Sequence, residues 1–202
     1  MWIQEGFAVY SEALFIEYKL GYNVMIDFLL KKREGIKNNL PIVGPVNENY
    51  WAFGDSYNKG AWVLHTLRNV INNDDLWFLI LKNFAIENAK GHVSTETFLN
   101  YIIKETGKNY QLVFYQYFYD HRPPTFEYYQ EGEKFYYRWS NVVSGFAMPV
   151  DIDLNGVEKR LEVTKELSTL SISEHSVIHI RDWEFLVIIN RNPDLKEIDQ
   201  LN

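Results

Sequence analysis

The sequence predicts an α+β protein, an all-helical unit (residues 1–121) followed by an antiparallel β-sandwich (122–202). Apolar residues recur at helical spacing through the first 120 residues, and the period switches to alternation after "HRPPT". An Asn-Gly pair, a strong signal for a two-residue hairpin turn, sits among the alternating runs. With 202 residues, 47% hydrophobic and 16% aromatic, the chain can bury a sizeable core rich in Phe, Tyr and Trp, with the polar tips of Tyr and Trp near its edges.

Each element follows from local pattern. Residues 2 to 20 are apolar nearly all round and end at Gly21, which predicts a buried helix. "YNVMIDFLLKKR" continues as a second helix. "EGIKNNLPIVGPVNENYWAFGD" is a Pro-, Gly- and Asn-rich connection long enough to line a site. Ala61, Leu64, Leu67, Arg68 and Ile71 have helical spacing, and "NNDD" ends that helix and caps the next, "LWFLILKNFAIENA". Ser94 or Thr95 caps "ETFLNYIIKET", Gly107 closes it, and "YQLVFYQYFYD" forms a last apolar helix before Pro123 and Pro124. Seven short alternating runs follow, from "TFEYY" to "WEFLVII", with "QEGE" and "NGVE" as hairpin turns.

Composition excludes several classes of partner. The net charge is −7, and the 20 basic residues form one dense run, Lys31, Lys32 and Arg33, which suits the C-terminal end of a helix better than a phosphate backbone. No nucleic-acid partner is expected. Without cysteine, disulfides and thiolate metal sites are impossible. No stretch reaches the roughly 18 apolar residues of a membrane span, and "MWIQEGF" lacks the marks of a signal peptide, so the compartment stays open. From the abrupt start within a helical pattern, the expectation is that Met1 is not where the natural protein begins.

Glu5 and Glu12 stand out in the apolar first helix, because a carboxylate among apolar side chains needs a cation, a metal or hydrogen bonds to compensate it. Seven residues apart, they share one helical stripe but are separated by about 10 Å along the axis, too far to share one metal directly. One as ligand with the other supporting it, or two ion pairs with lysines or arginines elsewhere, both satisfy this pattern.

"WIQEGFAVYSE" resembles the W-x-N-E-G-F-A-x-Y-x-E segment of the gluzincin zinc aminopeptidases, the aminopeptidase-N-like metallopeptidases, with Gln4 in place of the usual Asn. "DSYNKGAWVLHTLR" resembles that family's Y-x-K-G-a-x-v-L segment and follows in the same order. The resemblance implies the later helical half of a gluzincin catalytic domain plus the sandwich that follows it. It also implies zinc as cofactor, a peptide as substrate, Glu5 as a zinc ligand and Glu12 as a group that orients a ligand. Tyr57 would be the catalytic phenol that donates to the oxyanion formed on the peptide carbonyl. Lys59 and Gly60 would serve the helix start and close packing, and Asp55 would cap the helix.

The family's H-E-x-x-H helix, expected about eighteen residues before Glu5, is not in the 202 residues, so two histidine ligands and the general base are absent. The isolated chain is therefore expected to be inactive and not to hold zinc. His175 and His179 in "EHSVIH" have the four-residue separation of that motif, but Ser176 replaces its glutamate. A strand would place them roughly 13 Å apart, so they are expected to be ordinary strand residues. His65 reads as a packed helix histidine. Two other functions fit the letters: a non-enzymatic binding or assembly module on a peptidase scaffold, and an all-α hydrolase with Glu5 and Glu12 as an acid–base pair. An uncovered apolar face on the 2–20 helix would favour self-association.

Overall fold

The computed structural model describes residues 1–45 and 54–199; part of the long connection, residues 46–53, lies outside the described residues. The chain forms two compact units, residues 1–121 and 122–202. The first is helical: α1 (Trp2–Leu20), α2 (Tyr22–Arg33), α3 (Asp55–Ile71), α4 (Asp74–Glu87), α5 (Thr95–Thr106) and α6 (Gln111–Phe114), which passes directly into a π-helical turn, Tyr115–Tyr119.

Local chemistry explains where these helices begin and end. Gly21 at φ 96° closes α1, and its N–H still donates to the Glu17 carbonyl. Asn72 takes the left-handed conformation after α3, and the Asn73 side chain accepts from the Leu76 N–H to open α4, so the paired asparagines end one helix and start the next. Ser94 and Thr97 form a reciprocal capping box on α5, and Gly107 at φ 69° ends it. Lys31, Lys32 and Arg33 fill the last turn of α2, where cations oppose the carbonyl dipoles.

Two of the helices depart from the sequence expectation. The buried helix is α3, in which fourteen of seventeen residues are buried, whereas α1 buries chiefly Trp2, Gly6, Tyr10 and Ala13. Its other face is open: Phe15, Tyr18 and Leu20 are 61%, 81% and 65% exposed. Apolar composition marks α1 as a core candidate, but only its side turned toward α3, α4 and α5 is covered. The last helix also departs from a simple α-helix. At Tyr119 the repeat has widened, with the Asp120 N–H donating to the Tyr115 carbonyl five residues back, while Val113, Phe114, Tyr117 and Phe118 stay buried.

α1 and α3 meet at Gly6 and Gly60. A Cβ on Gly6 would lie 2.9 Å from the Gly60 Cα, and one on Gly60 would lie 2.9 Å from the Gly6 Cα, so the backbones touch. Around this crossing three buried tryptophans link helices through their indole N–H groups. Trp2 donates to Thr95 Oγ1 (2.8 Å), Trp62 to the Leu29 carbonyl (2.7 Å) and Trp77 to the Tyr10 hydroxyl (3.1 Å). The polar tips thus lie inside the core, each with a partner. Arg68, 4% exposed, donates to both oxygens of Glu17 on α1 (2.7 and 2.9 Å) and to Asp74 at the start of α4 (2.8 and 2.7 Å).

The second unit contains two sheets. β1 (Thr125–Glu131), β2 (Lys134–Ser140), β5 (Ser168–Ser171) and β7 (Ile188–Arg191) form one in the order β5-β2-β1-β7, with β1 and β7 parallel. β3 (Ala147–Leu154), β4 (Val157–Thr164) and β6 (Ile178–Ile180) form the other in the order β4-β3-β6. A short α7 (Leu195–Asp199) follows. Asn155 (φ 55°) and Gly156 (φ 82°) make the two-residue turn joining β3 and β4, the conformation the Asn-Gly pair favours. The Trp139 indole of β2 donates to the Met148 carbonyl of β3 (2.9 Å), joining the sheets over a core of Phe126, Phe135, Phe146, Val150, Ile152, Leu161 and Val163. "WEFLVII" is only partly strand. Phe185, Leu186 and Val187 are buried ahead of β7, so their apolar character reflects core filling rather than strand pairing. His175 lies in a turn and His179 in β6, both exposed. No helix among the described residues is long and apolar enough to cross a membrane.

Replacing Gly6 or Gly60 with alanine places a methyl group against backbone that cannot rotate away. Each substitution is expected to destabilise the helical unit by about 1–3 kcal/mol in urea unfolding. Arg68→Ala, which strands Glu17 and Asp74, is expected to cost about 3 kcal/mol in the same measurement.

Candidate functional site

The crossing at Gly6 and Gly60 determines what sits beside it. Glu5 immediately precedes Gly6 on α1, and Tyr57 lies one turn before Gly60 on α3, so the close approach of the backbones brings the two side chains together. They are hydrogen-bonding partners, and the Glu5 carboxylate is the main reason the Tyr57 phenol is held above its ordinary pKa. Its charge disfavours a second anion, and it accepts the phenol proton as well. Glu5 is half-buried and Tyr57 is 40% exposed, so the pair opens to solvent rather than being sealed in the core. The two candidate residues from separate sequence segments therefore share one surface.

Glu12 is exposed on α1, two turns along from Glu5. Neither carboxylate is deeply buried, and the apolar side chains around them in sequence face other directions. The salt-bridged carboxylate of this helix is Glu17, which sequence reasoning passed over. It is met by Arg68, a residue noted only for its helical spacing.

The residues flanking Tyr57 have structural partners. Asp55 is the first residue of α3 rather than its cap, and its two oxygens accept from the Lys37 and Asn38 N–H groups (2.8 Å each). It thereby fastens the connection after α2 to the start of the helix that carries Tyr57. Lys59 is fully buried; its ammonium donates to the His121 carbonyl (3.2 Å) and faces Asp55 and Asp120. Burial pulls its pKa down to about 8, against the opposing pull of the two carboxylates. A buried lysine is readable only as "K-G" in the sequence, where nothing shows that its side chain runs inward. His65 is fully buried between the rings of Tyr10 and Trp62, as a packed helix histidine.

Near the start of α1, an open cleft of about 360 Å3 is lined by Trp2, Ile42, Pro45, Thr95, Glu96 and Tyr119, among others. The Tyr119 hydroxyl donates to Glu96, and burial together with that carboxylate pushes the phenol up to about 12.

A zinc ion accepts carboxylate and imidazole donors, and at this surface Glu5 supplies a carboxylate beside the Tyr57 phenol. Among the described residues, no three His, Cys, Asp or Glu side chains converge to hold a metal. The second unit has its own cluster of buried charge. Asp151 and Glu184, 4% and 5% exposed, are held by Arg160 (2.9 Å) and Arg181 (2.6 Å) respectively.

No known family profile matches the sequence, and no curated protein matches it.

Glu5→Gln removes the charge that opposes ionisation of Tyr57, so the phenol is expected to titrate at lower pH in the variant, as followed by the NMR shifts of the labelled ring. Burial pushes Glu184 up to about 7, from 4.5. Between those two values the folded chain holds a proton that the unfolded chain has released, so stability is present below about pH 4.5 and is lost as pH rises through about 7. Glu184→Gln is expected to flatten that pH dependence in urea titrations.

Proposed function

We propose that this chain is part of a zinc metallopeptidase of the aminopeptidase-N-like kind. In this reading it contributes the carboxylate ligand and the oxyanion-stabilising phenol of a centre whose two histidines and general base come from a segment outside residues 1–202. The observation that carries the reading is the pairing of Glu5 with Tyr57. Two motifs more than fifty residues apart meet at a Gly–Gly helix crossing and present their two chemistry-bearing side chains together at the surface.

Each residue then has a task that its environment suits. The Glu5 carboxylate is half-open, able to turn from the phenol to a cation. Tyr57, held in its protonated form by that carboxylate, keeps the O–H it needs to donate to a developing oxyanion. Asp55 and Lys59 fix the first turn of α3 from both sides and so hold Tyr57 in place. Bound zinc would polarise a peptide carbonyl and activate water. Glu12, exposed along the same stripe, would support the polar rim around the metal.

The decisive experiment starts from the coding sequence upstream of Met1. An H-E-x-x-H about eighteen residues before Glu5 is the expected result, and an unrelated sequence or a genuine start codon there would sink the reading. In the protein expressed from the longer frame, Glu5→Gln is expected to lose zinc by metal analysis. Tyr57→Phe is expected to keep zinc and lose about 10²–10³-fold in kcat on aminoacyl anilides. Residues 1–202 alone are expected to bind zinc no better than a surface carboxylate does, and stoichiometric micromolar binding in a titration would contradict this division of the site.

A further inference from the structure

The second unit has an open strand edge beside a cleft. β6 is the outermost strand of the three-stranded sheet, and β7 is the outermost strand of the four-stranded one. Between them lies an open cleft of about 600 Å3 lined by Ile178, His179 and Ile180 of β6, Ile189 of β7, Tyr128 of β1, Asp153 of β3, and Asp182 and Trp183.

The register of β6 shows which backbone groups face outward. The Arg181 N–H donates to the Asp151 carbonyl (3.0 Å) and the Asn155 N–H to the Val177 carbonyl (2.9 Å). Hydrogen-bonded pairs alternate in an antiparallel ladder, so Arg181, His179 and Val177 turn their polar backbone groups toward β3. Ile178 and Ile180 turn theirs the other way, toward the open side. Two N–H and C=O sets, two residues apart, are the template to which another extended strand adds.

The lining indicates what kind of strand. Half-buried Ile178, Ile180 and Ile189 offer apolar surface, Tyr128 and Trp183 offer ring faces, and Asp153 and Asp182 bring two carboxylates to the same cleft. Arg181 already lies over the Trp183 ring, 5.7 Å from its centroid, so this ring accepts a guanidinium from the protein itself. Residues 122–202 carry nine Lys and Arg against fourteen Asp and Glu, so the unit as a whole is net negative and attracts cationic segments. Asp153 stands opposite His179, on the face of the sheet away from the Ile178 and Ile180 side chains, so a strand added at this edge would set apolar side chains beside the isoleucines and alternate cationic ones on the carboxylate side.

We propose that the β6 edge and its cleft dock an extended peptide segment bearing lysine or arginine. The segment would pair with the backbone of Ile178 and Ile180 and direct a cationic side chain to Asp153 and Asp182.

The test uses the 202-residue chain and an acetylated, amidated octapeptide of alternating threonine and lysine, with the same peptide carrying glutamate for lysine as a control. NMR titration and amide hydrogen exchange are the readouts. The lysine peptide is expected to bind with a dissociation constant on the order of 100 μM and to slow exchange at Ile178 and Ile180 at least about tenfold. The paired substitution Asp153→Asn and Asp182→Asn, which keeps an oxygen acceptor for the Gly156 N–H at position 153, is expected to weaken binding about tenfold or more. Equal binding of the glutamate peptide would overturn the proposal. So would binding that leaves the Ile178 and Ile180 amides unprotected, or no binding at about 1 mM peptide.

Discussion

The backbone contact between Gly6 and Gly60 is the constraint on which the helical unit depends. Two helices can approach to this distance only where neither carries a Cβ, and the approach sets the spacing of everything around the crossing. It lets Tyr10 and Ala13 bury against α3, and it brings Trp2 within reach of Thr95. It also sets Glu5 against Tyr57. A methyl group at either glycine would push apart the two helices whose junction forms the candidate site, so packing and chemistry are coupled at one point.

Around that junction the polar groups of the core are used as ties. Three indole N–H groups and one buried guanidinium link α3 to α2, α1 to α4 and α5, and α3 to α1 and α4. Each would cost free energy if left unpaired in the interior, so each selects one arrangement of helices over others that bury similar apolar area. Asp55 and Lys59 do the same for the first turn of α3. The candidate pair at the surface thus stands on a frame held by directional bonds, while Glu5 and Tyr57 themselves remain accessible.

Much of the fold was legible because its signals are local. Helix ends at Gly21, Asn72–Asn73, Ser94 and Gly107 depend on φ values and side-chain caps that involve a few neighbouring residues. The β3–β4 hairpin likewise follows from two residues able to adopt positive φ. Misreadings arose where the deciding partner was distant in sequence. Apolar residues all round α1 suggested burial, but only the side facing the other helices is covered. "WEFLVII" looked like a strand, but three of its residues fill the core without ladder pairing. The π-helical turn at Tyr115–Tyr119 leaves no mark in a pattern read at 3.6 residues per turn.

For the candidate site the division is similar. The sequence by itself determined which residue types were available, a glutamate and a tyrosine in two separate segments, and the helical spacing that puts each within a turn of a glycine. Only the tertiary structure decided that these glycines meet, that Glu5 and Tyr57 share a hydrogen bond, and that Glu12 is exposed while Glu17 takes the salt bridge. It also decided that Lys59 points inward and that the β6 edge lies open beside acidic side chains. Caps and turns are set by a few adjacent dihedral angles, whereas these juxtapositions depend on which helix faces pack and which strands pair. Those choices are settled by backbone contacts and buried polar bonds between residues tens of positions apart.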